Sequence, residues 1–177
     1  MKISYLADHP EFIPILAPGI AAHWGSVIPG ETVVKRITKL EAHLNKGTLP
    51  IAWVAHSQGE VFGTAALRAN DLEGREDLSP WLGGVFVRPE FRGRGVATAL
   101  CQTVETNAWA LGIARLYLFT IDRQSLYARL GWKESDAATW RGYKSNIMVK
   151  HRMTPNQSSE PTFSSVTPPA GQESRPR

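Results

Sequence analysis

One cysteine, Cys101, is the chain's entire thiol content. A lone thiol forms no internal disulfide, which points to a reducing, cytoplasmic setting. It sits in an apolar stretch of helical spacing with no histidine close by in sequence, so packing is its expected role. Long hydrophobic runs are missing too. The richest, Phe12 to Trp24, is broken by Pro14 and Pro18 and falls short of a membrane span. No basic stretch followed by an apolar core opens the chain, so no secretory leader is expected. The five histidines show no ligand spacing with cysteine or paired acids, and no metal is expected. Basic charge is concentrated nowhere: 20 Lys and Arg are scattered among 16 Asp and Glu, a net +4 without a basic block. An anionic cofactor accounts for that modest excess as well as nucleic acid would, and no nucleic-acid or membrane partner is expected.

What is present suits one compact domain. The 177 residues are 42% hydrophobic and include six tryptophans, enough to bury a core. The pattern mixes α and β. Ile3 to Leu6 predicts a strand, Phe12 to Trp24 an irregular helix, and Val33 to Leu44 a helix capped by Thr32. Ile51 to His56 and Val61 to Arg68 predict a hairpin across Ser57-Gln58-Gly59-Glu60. An acidic loop, Ala69 to Ser79, leads into a strand over Leu82 to Val87. Val96, Leu100, Val104, Ala108 and Leu111 share a helical face that ends at Gly112. Arg115 to Thr120, apolar on both faces, predicts a covered strand parallel to the one before that helix. A short helix over Gln124 to Leu130 follows, then a last hairpin, Trp132 to Glu134 with Ser145 to Arg152, joined by a loop over Ser135 to Tyr143. From Thr154 on, Pro, Ser, Thr and Gln displace apolar residues, which predicts a domain of 1–153 and a flexible tail of 154–177.

The most informative stretch is Val85-Phe86-Val87-Arg88-Pro89-Glu90-Phe91-Arg92-Gly93-Arg94-Gly95-Val96-Ala97-Thr98. A strand runs into a basic, glycine-bearing turn and then a helix. Glycines let successive N–H groups converge, and the helix adds its positive end, so the arrangement suits a phosphate or pyrophosphate. The nucleotide-triphosphate loop is excluded because no Lys-Ser or Lys-Thr pair follows the glycines. The dinucleotide fingerprint fails at its third glycine, where Thr98 stands.

What fits is [QR]-x-x-G-x-[GA], read as Arg92 through Ala97, and it resembles the acyl-CoA pyrophosphate loop of the GNAT N-acetyltransferase superfamily. A second stretch agrees. Leu116-Tyr117-Leu118-Phe119-Thr120 followed by Tyr127-Ala128-Arg129-Leu130-Gly131-Trp132 resembles that family's strand and Tyr-x-x-x-Gly-[Phe/Trp] helix. The resemblance implies an α/β fold of the α+β type: a mixed central sheet whose parallel fourth and fifth strands splay apart, flanked by helices. It implies acetyl-CoA as co-substrate, with the backbone of Val85, Phe86 and Val87 pairing the pantetheine and Arg92, Gly93, Arg94, Gly95, Val96, Ala97 and Thr98 holding the pyrophosphate. Tyr127 falls where a catalytic hydroxyl faces the cofactor sulfur. Many members carry Asn seven positions earlier; here that cofactor-side position is Thr120, with Asp122 expected to cap the next helix.

The implied activity is acetyl transfer to a primary amine by direct attack in a ternary complex. A small cationic acceptor, of the aminoglycoside kind, is expected, with a peptide or protein N-terminus as one alternative. The other alternative is a non-catalytic acyl-CoA sensor. A homodimer stays open. Asp71, Glu73, Glu76 and Asp77 could draw in a cation, or simply form a hydrated loop. His56, Glu60, Glu134 and Asp136 are conceivable general bases, and Trp24, Trp81 and Trp140 conceivable pocket walls.

Overall fold

The computed structural model describes residues 1–153. The expected flexible tail lies outside the described residues. A seven-stranded sheet organises the molecule: β1 (Lys2–Tyr5), β2 (Ile51–Ser57), β3 (Glu60–Arg68), β4 (Trp81–Val87), β5 (Arg115–Thr120), β6 (Lys133–Trp140) and β7 (Tyr143–His151). Their spatial order is β1-β2-β3-β4-β5-β7-β6, and every neighbouring pair is antiparallel except β4–β5. Four helices complete it: α1 (Ile13–Gly25), α2 (Val33–Glu41), α3 (Val96–Ala110) and α4 (Gln124–Arg129). This is the expected mixed sheet with its single parallel step.

Strand alternation divides the core between the two faces. Ile51, Trp53 and Ala55 of β2 pack with Leu100, Val104 and Ala108 of α3. Their neighbours Ala52 and Val54 point the other way, against Leu16 and Ile20 of α1 and Leu40 of α2. Pro14 lies in the first turn of α1, where no intrahelical donor is missed, and Pro18 is carried inside it. Thr32 caps α2 as expected, its Oγ1 accepting from the Lys35 N–H at 3.2 Å.

The last hairpin corrects the sequence reading. Ser135 to Tyr143 is not a loop: β6 runs to Trp140 and turns into β7 through Arg141 and Gly142, whose φ values are +50° and +84°. Two left-handed residues suit the right-handed twist of a tight hairpin. Its start, expected over Trp132 to Glu134, is present; its continuation to Trp140 escaped the reading because β6 is an edge strand, exposed along most of its length, with no buried alternation to betray it.

Candidate active site

β4 and β5 pair in register only at Trp81 and Tyr117. Beyond that point they diverge. A bulge in β4 assists: across β3, Ala66 faces Gly83 and Thr64 faces Phe86, so two β4 residues oppose one, and Gly84 takes φ +61°. The β5-facing side of β4 from Leu82 to Val87 consequently has no strand partner. A cleft of about 490 Å³ opens there, lined by Val85, Phe86 and Val87 on one side and by Phe119, Thr120 and Tyr127 on the other. His23 and Trp24, from the end of α1, close over it.

The glycine turn stands at the mouth of this cleft. Gly93 and Gly95 have φ of +74° and +77°, conformations that side chains resist, and both are exposed. Phe91 and Val96 anchor the turn in the core on either side. Arg92 donates its Nε–H to the Val87 carbonyl at 3.0 Å and lines the cleft with Ala97. Arg94 lies 5.5 Å over the Phe91 ring. Among the described residues, none accepts a hydrogen bond from the N–H groups of Gly93 through Thr98; the first such bond of α3 is from Ala99 to Gly95. Six consecutive free donors make an anion cradle.

Tyr127 has a buried ring, 6.5 Å from Trp132 and edge-on to it. Its hydroxyl bonds to no described residue yet is not sealed off, so it opens to the cleft. Burial raises its pKa well above the ordinary phenol value. The Cys101 thiol, also buried, is pushed up to about 12 and stays inert, as its packing role requires. Thr120 Oγ1 accepts from the Arg123 N–H at 3.0 Å, fixing the turn into α4. Asp122 does not cap that helix: its carboxylate is exposed, 3.4 Å from Arg123 Nε.

Behind the cleft, a second chamber of about 100 Å³ lies between α1, α2 and the sheet. Trp24 and Trp140 wall it, their rings edge-on at 5.8 Å. Asp71 lines both cavities and pairs with Arg68. Gly83 and Gly84 make room for that pair, since a methyl on either would strike Asp71 or Arg68.

A protein-family model described as an acetyltransferase (GNAT) domain matches residues 50–134. Those residues are a GNAT acetyltransferase domain. Solved structures of similar fold include ribosomal-protein-alanine N-acetyltransferase from Brucella melitensis, 20% identical, covering 86% of this chain and 100% of that one at a TM-score of 0.68. Aminoglycoside 6'-N-acetyltransferase from Enterococcus faecium is 19% identical over 85% of this chain and 97% of its own, with a TM-score of 0.67. A putative acetyltransferase from Salmonella typhimurium, solved with its cofactor acetyl-CoA, is 15% identical over 85% and 92%, at 0.64. At such identities the likeness is one of fold.

Within the GNAT domain, Val85, Phe86, Val87, Arg92, Ala97, Thr120 and Tyr127 come together on one cleft, while Gly93, Arg94, Gly95 and Thr98 form its rim and Val96 turns into the core. The conceivable bases fare differently. His56 bonds Ser4 at 2.9 Å, Asp136 pairs with Arg75 at 2.8 Å, and Glu134 accepts from Asn146 at 3.2 Å; these and Glu60 line neither cavity. His23 and Asp71 do line the cleft. Burial, followed by the Arg92 charge, lowers the His23 pKa and keeps the ring neutral. Trp81 is no wall either: it is fully buried and donates its indole N–H to the Leu78 carbonyl at 2.7 Å. Three of the acidic loop's four carboxylates are engaged nearby, Asp71 by Arg68, Asp77 by Arg75 and Glu76 by the Gly74 N–H.

Proposed function

We propose that the domain transfers an acetyl group from acetyl-CoA to a primary amine by direct attack in a ternary complex. One observation carries the reading: a single cleft joins six unbonded N–H groups at its mouth, an unpaired strand edge along its wall, and the Tyr127 hydroxyl at its far side. These are the partners a pyrophosphate, a pantetheine arm and a leaving thiolate require. In this reading, the backbone of Val85 to Val87 pairs the pantetheine amides, and Arg92 to Thr98 hold the pyrophosphate. When bound, acetyl-CoA supplies the thioester carbonyl for the amine to attack. Tyr127 gives its proton to the departing sulfur, and the amine's proton leaves to solvent or to neutral His23. The Salmonella structure with acetyl-CoA, sharing this fold, supports the choice of co-substrate.

The acceptor is a primary amine; the structural neighbours include proteins named for an aminoglycoside and for a ribosomal-protein alanine. The test is thiol release from acetyl-CoA across a panel of amines and short peptides, with calorimetry of acetyl-CoA alone. Acceptor-dependent release is expected, and which wells respond separates small amines from peptide N-termini. Tight acetyl-CoA binding without release for any acceptor would instead identify a sensor.

A further inference from the structure

The chamber behind the cleft carries charge that transfer to a plain amine leaves unused. Arg36 and Lys39, three apart on α2, and Arg68, at the end of β3, all line it. Arg36 is held by Glu31, with Nε and Nη2 on Oε1 at 3.0 and 2.9 Å. Arg68 is held from two sides. Its Nη1 binds Asp71, and its Nε–H donates to His43 Nε2 at 2.9 Å. His43 in turn gives its Nδ1–H to the Lys39 carbonyl at 2.6 Å, which assigns the tautomer. This chain uses two of five guanidinium donors and aims the group over Gly84, into the chamber.

Lys39 Nζ has no acceptor among the described residues. Two carboxylates, Glu31 and Asp71, therefore face three cations, and neutral His43 adds nothing to either side. Desolvation, then the Arg68 and Arg36 charges, lowers the pKa of Lys39 although the residue as a whole is exposed, and Asp71 and Glu31 oppose the shift. The opposite wall is apolar, built from Ile20, Trp24, Phe119 and Trp140.

We propose that the acceptor amine also bears a carboxylate, held by Arg68 and Lys39, on an apolar or aromatic frame that packs against Trp24 and Trp140. The proposal rests on the transfer reading above. A carboxylate completes the chamber's charge and matches the guanidinium fork. A polycation would meet three like charges and no carboxylate outside an ion pair.

Matched acceptors test it. Thiol release is measured with phenylalanine, tyrosine and leucine against phenethylamine, tyramine and isoamylamine, and with kanamycin as the polycation. The carboxylated member of each pair is expected to show at least tenfold higher kcat/KM. Lys39→Gln, a change at an exposed helix position, is expected to raise KM for the amino acids about tenfold. It should leave KM for the plain amines, the melting temperature and the acetyl-CoA Kd where they were. Lys39→Glu is expected to reverse the preference. Equal or better turnover of the plain amines or kanamycin would overturn the carboxylate and leave transfer standing. An unchanged preference in both Lys39 variants would overturn the placement. No release with any amine, acetyl-CoA binding intact, would overturn transfer itself and this acceptor with it.

Discussion

Tyr127 joins a buried ring to a hydroxyl that no described residue engages. Removing the oxygen therefore costs the fold little, while a positioned proton donor is worth about 10²–10⁴ in rate. Tyr127→Phe is expected to lower kcat by about 10² or more, with melting temperature and acetyl-CoA Kd unchanged. Near-parental turnover, with chemistry limiting, would reduce the tyrosine to packing. His43 makes a second prediction. Its pKa is pushed down to about 4, by burial first and then by the Arg68 charge. A second proton would place an N–H of Nε2 against the N–H of Arg68. Between about 4 and 6.5 the unfolded chain binds that proton and the folded one does not, so stability rises with pH across this window. Acidification from pH 7.5 to 5 is expected to remove about 2 kcal/mol through this residue. His43→Gln, which bonds but does not titrate, should show a flatter dependence in urea melts over the same range.

The turn into α3 is where local geometry and proposed function coincide. Gly95 has φ +77° and empty space where a Cβ would stand. Gly95→Ala thus adds a methyl without a clash, at a backbone cost of about 1–2 kcal/mol. The same methyl stands among the free N–H groups of the cradle. Acetyl-CoA Kd is expected to rise at least tenfold while the melting temperature falls by only a few degrees. Unchanged affinity in calorimetry would move the pyrophosphate elsewhere. A valine there, β-branched at positive φ, would mix strain with occlusion and test less cleanly.

Glu105 shows how distant parts of the chain are tied together. From α3 it accepts the Trp132 indole N–H at 2.7 Å and pairs with Lys150 of β7 at 2.6 Å; Lys150 also reaches the Leu130 carbonyl at 2.6 Å. Helix, α4 exit and last strand thereby meet at one buried carboxylate, 5% exposed. Glu105→Ala leaves a cation and an indole donor without their acceptor, and a loss of about 3–5 kcal/mol is expected in denaturant melts. Glu105→Gln keeps one acceptor and should lose less.

Local patterns carried much of this fold. Alternation in Ile51 to Arg68, the cap at Thr32 and the strand-turn-helix from Val85 to Ala97 are short-range features, and each is legible because neighbouring residues satisfy one another. That Val85 to Val87, Arg92, Ala97, Thr120 and Tyr127 share one cleft was legible for the same reason: they lie on two contiguous stretches. β6 was legible only at its start, since beyond Glu134 an exposed edge strand has no buried period. The chamber behind the cleft was not legible, because Arg36 and Lys39, Arg68 and Asp71, and Trp140 come from three stretches far apart in the chain. Asp71 and Trp140 were candidates in the sequence, but Arg36, Lys39 and Arg68 look there like ordinary surface charges. Even the acidic loop misleads by composition, since Arg68 and Arg75 pair with two of its four carboxylates, Asp71 and Asp77. Order along the chain was enough to read most of the sheet, the glycine turn and the helix that carries Tyr127. Which charges stand together behind the cleft emerged on folding, because their meeting is a matter of packing and not of spacing.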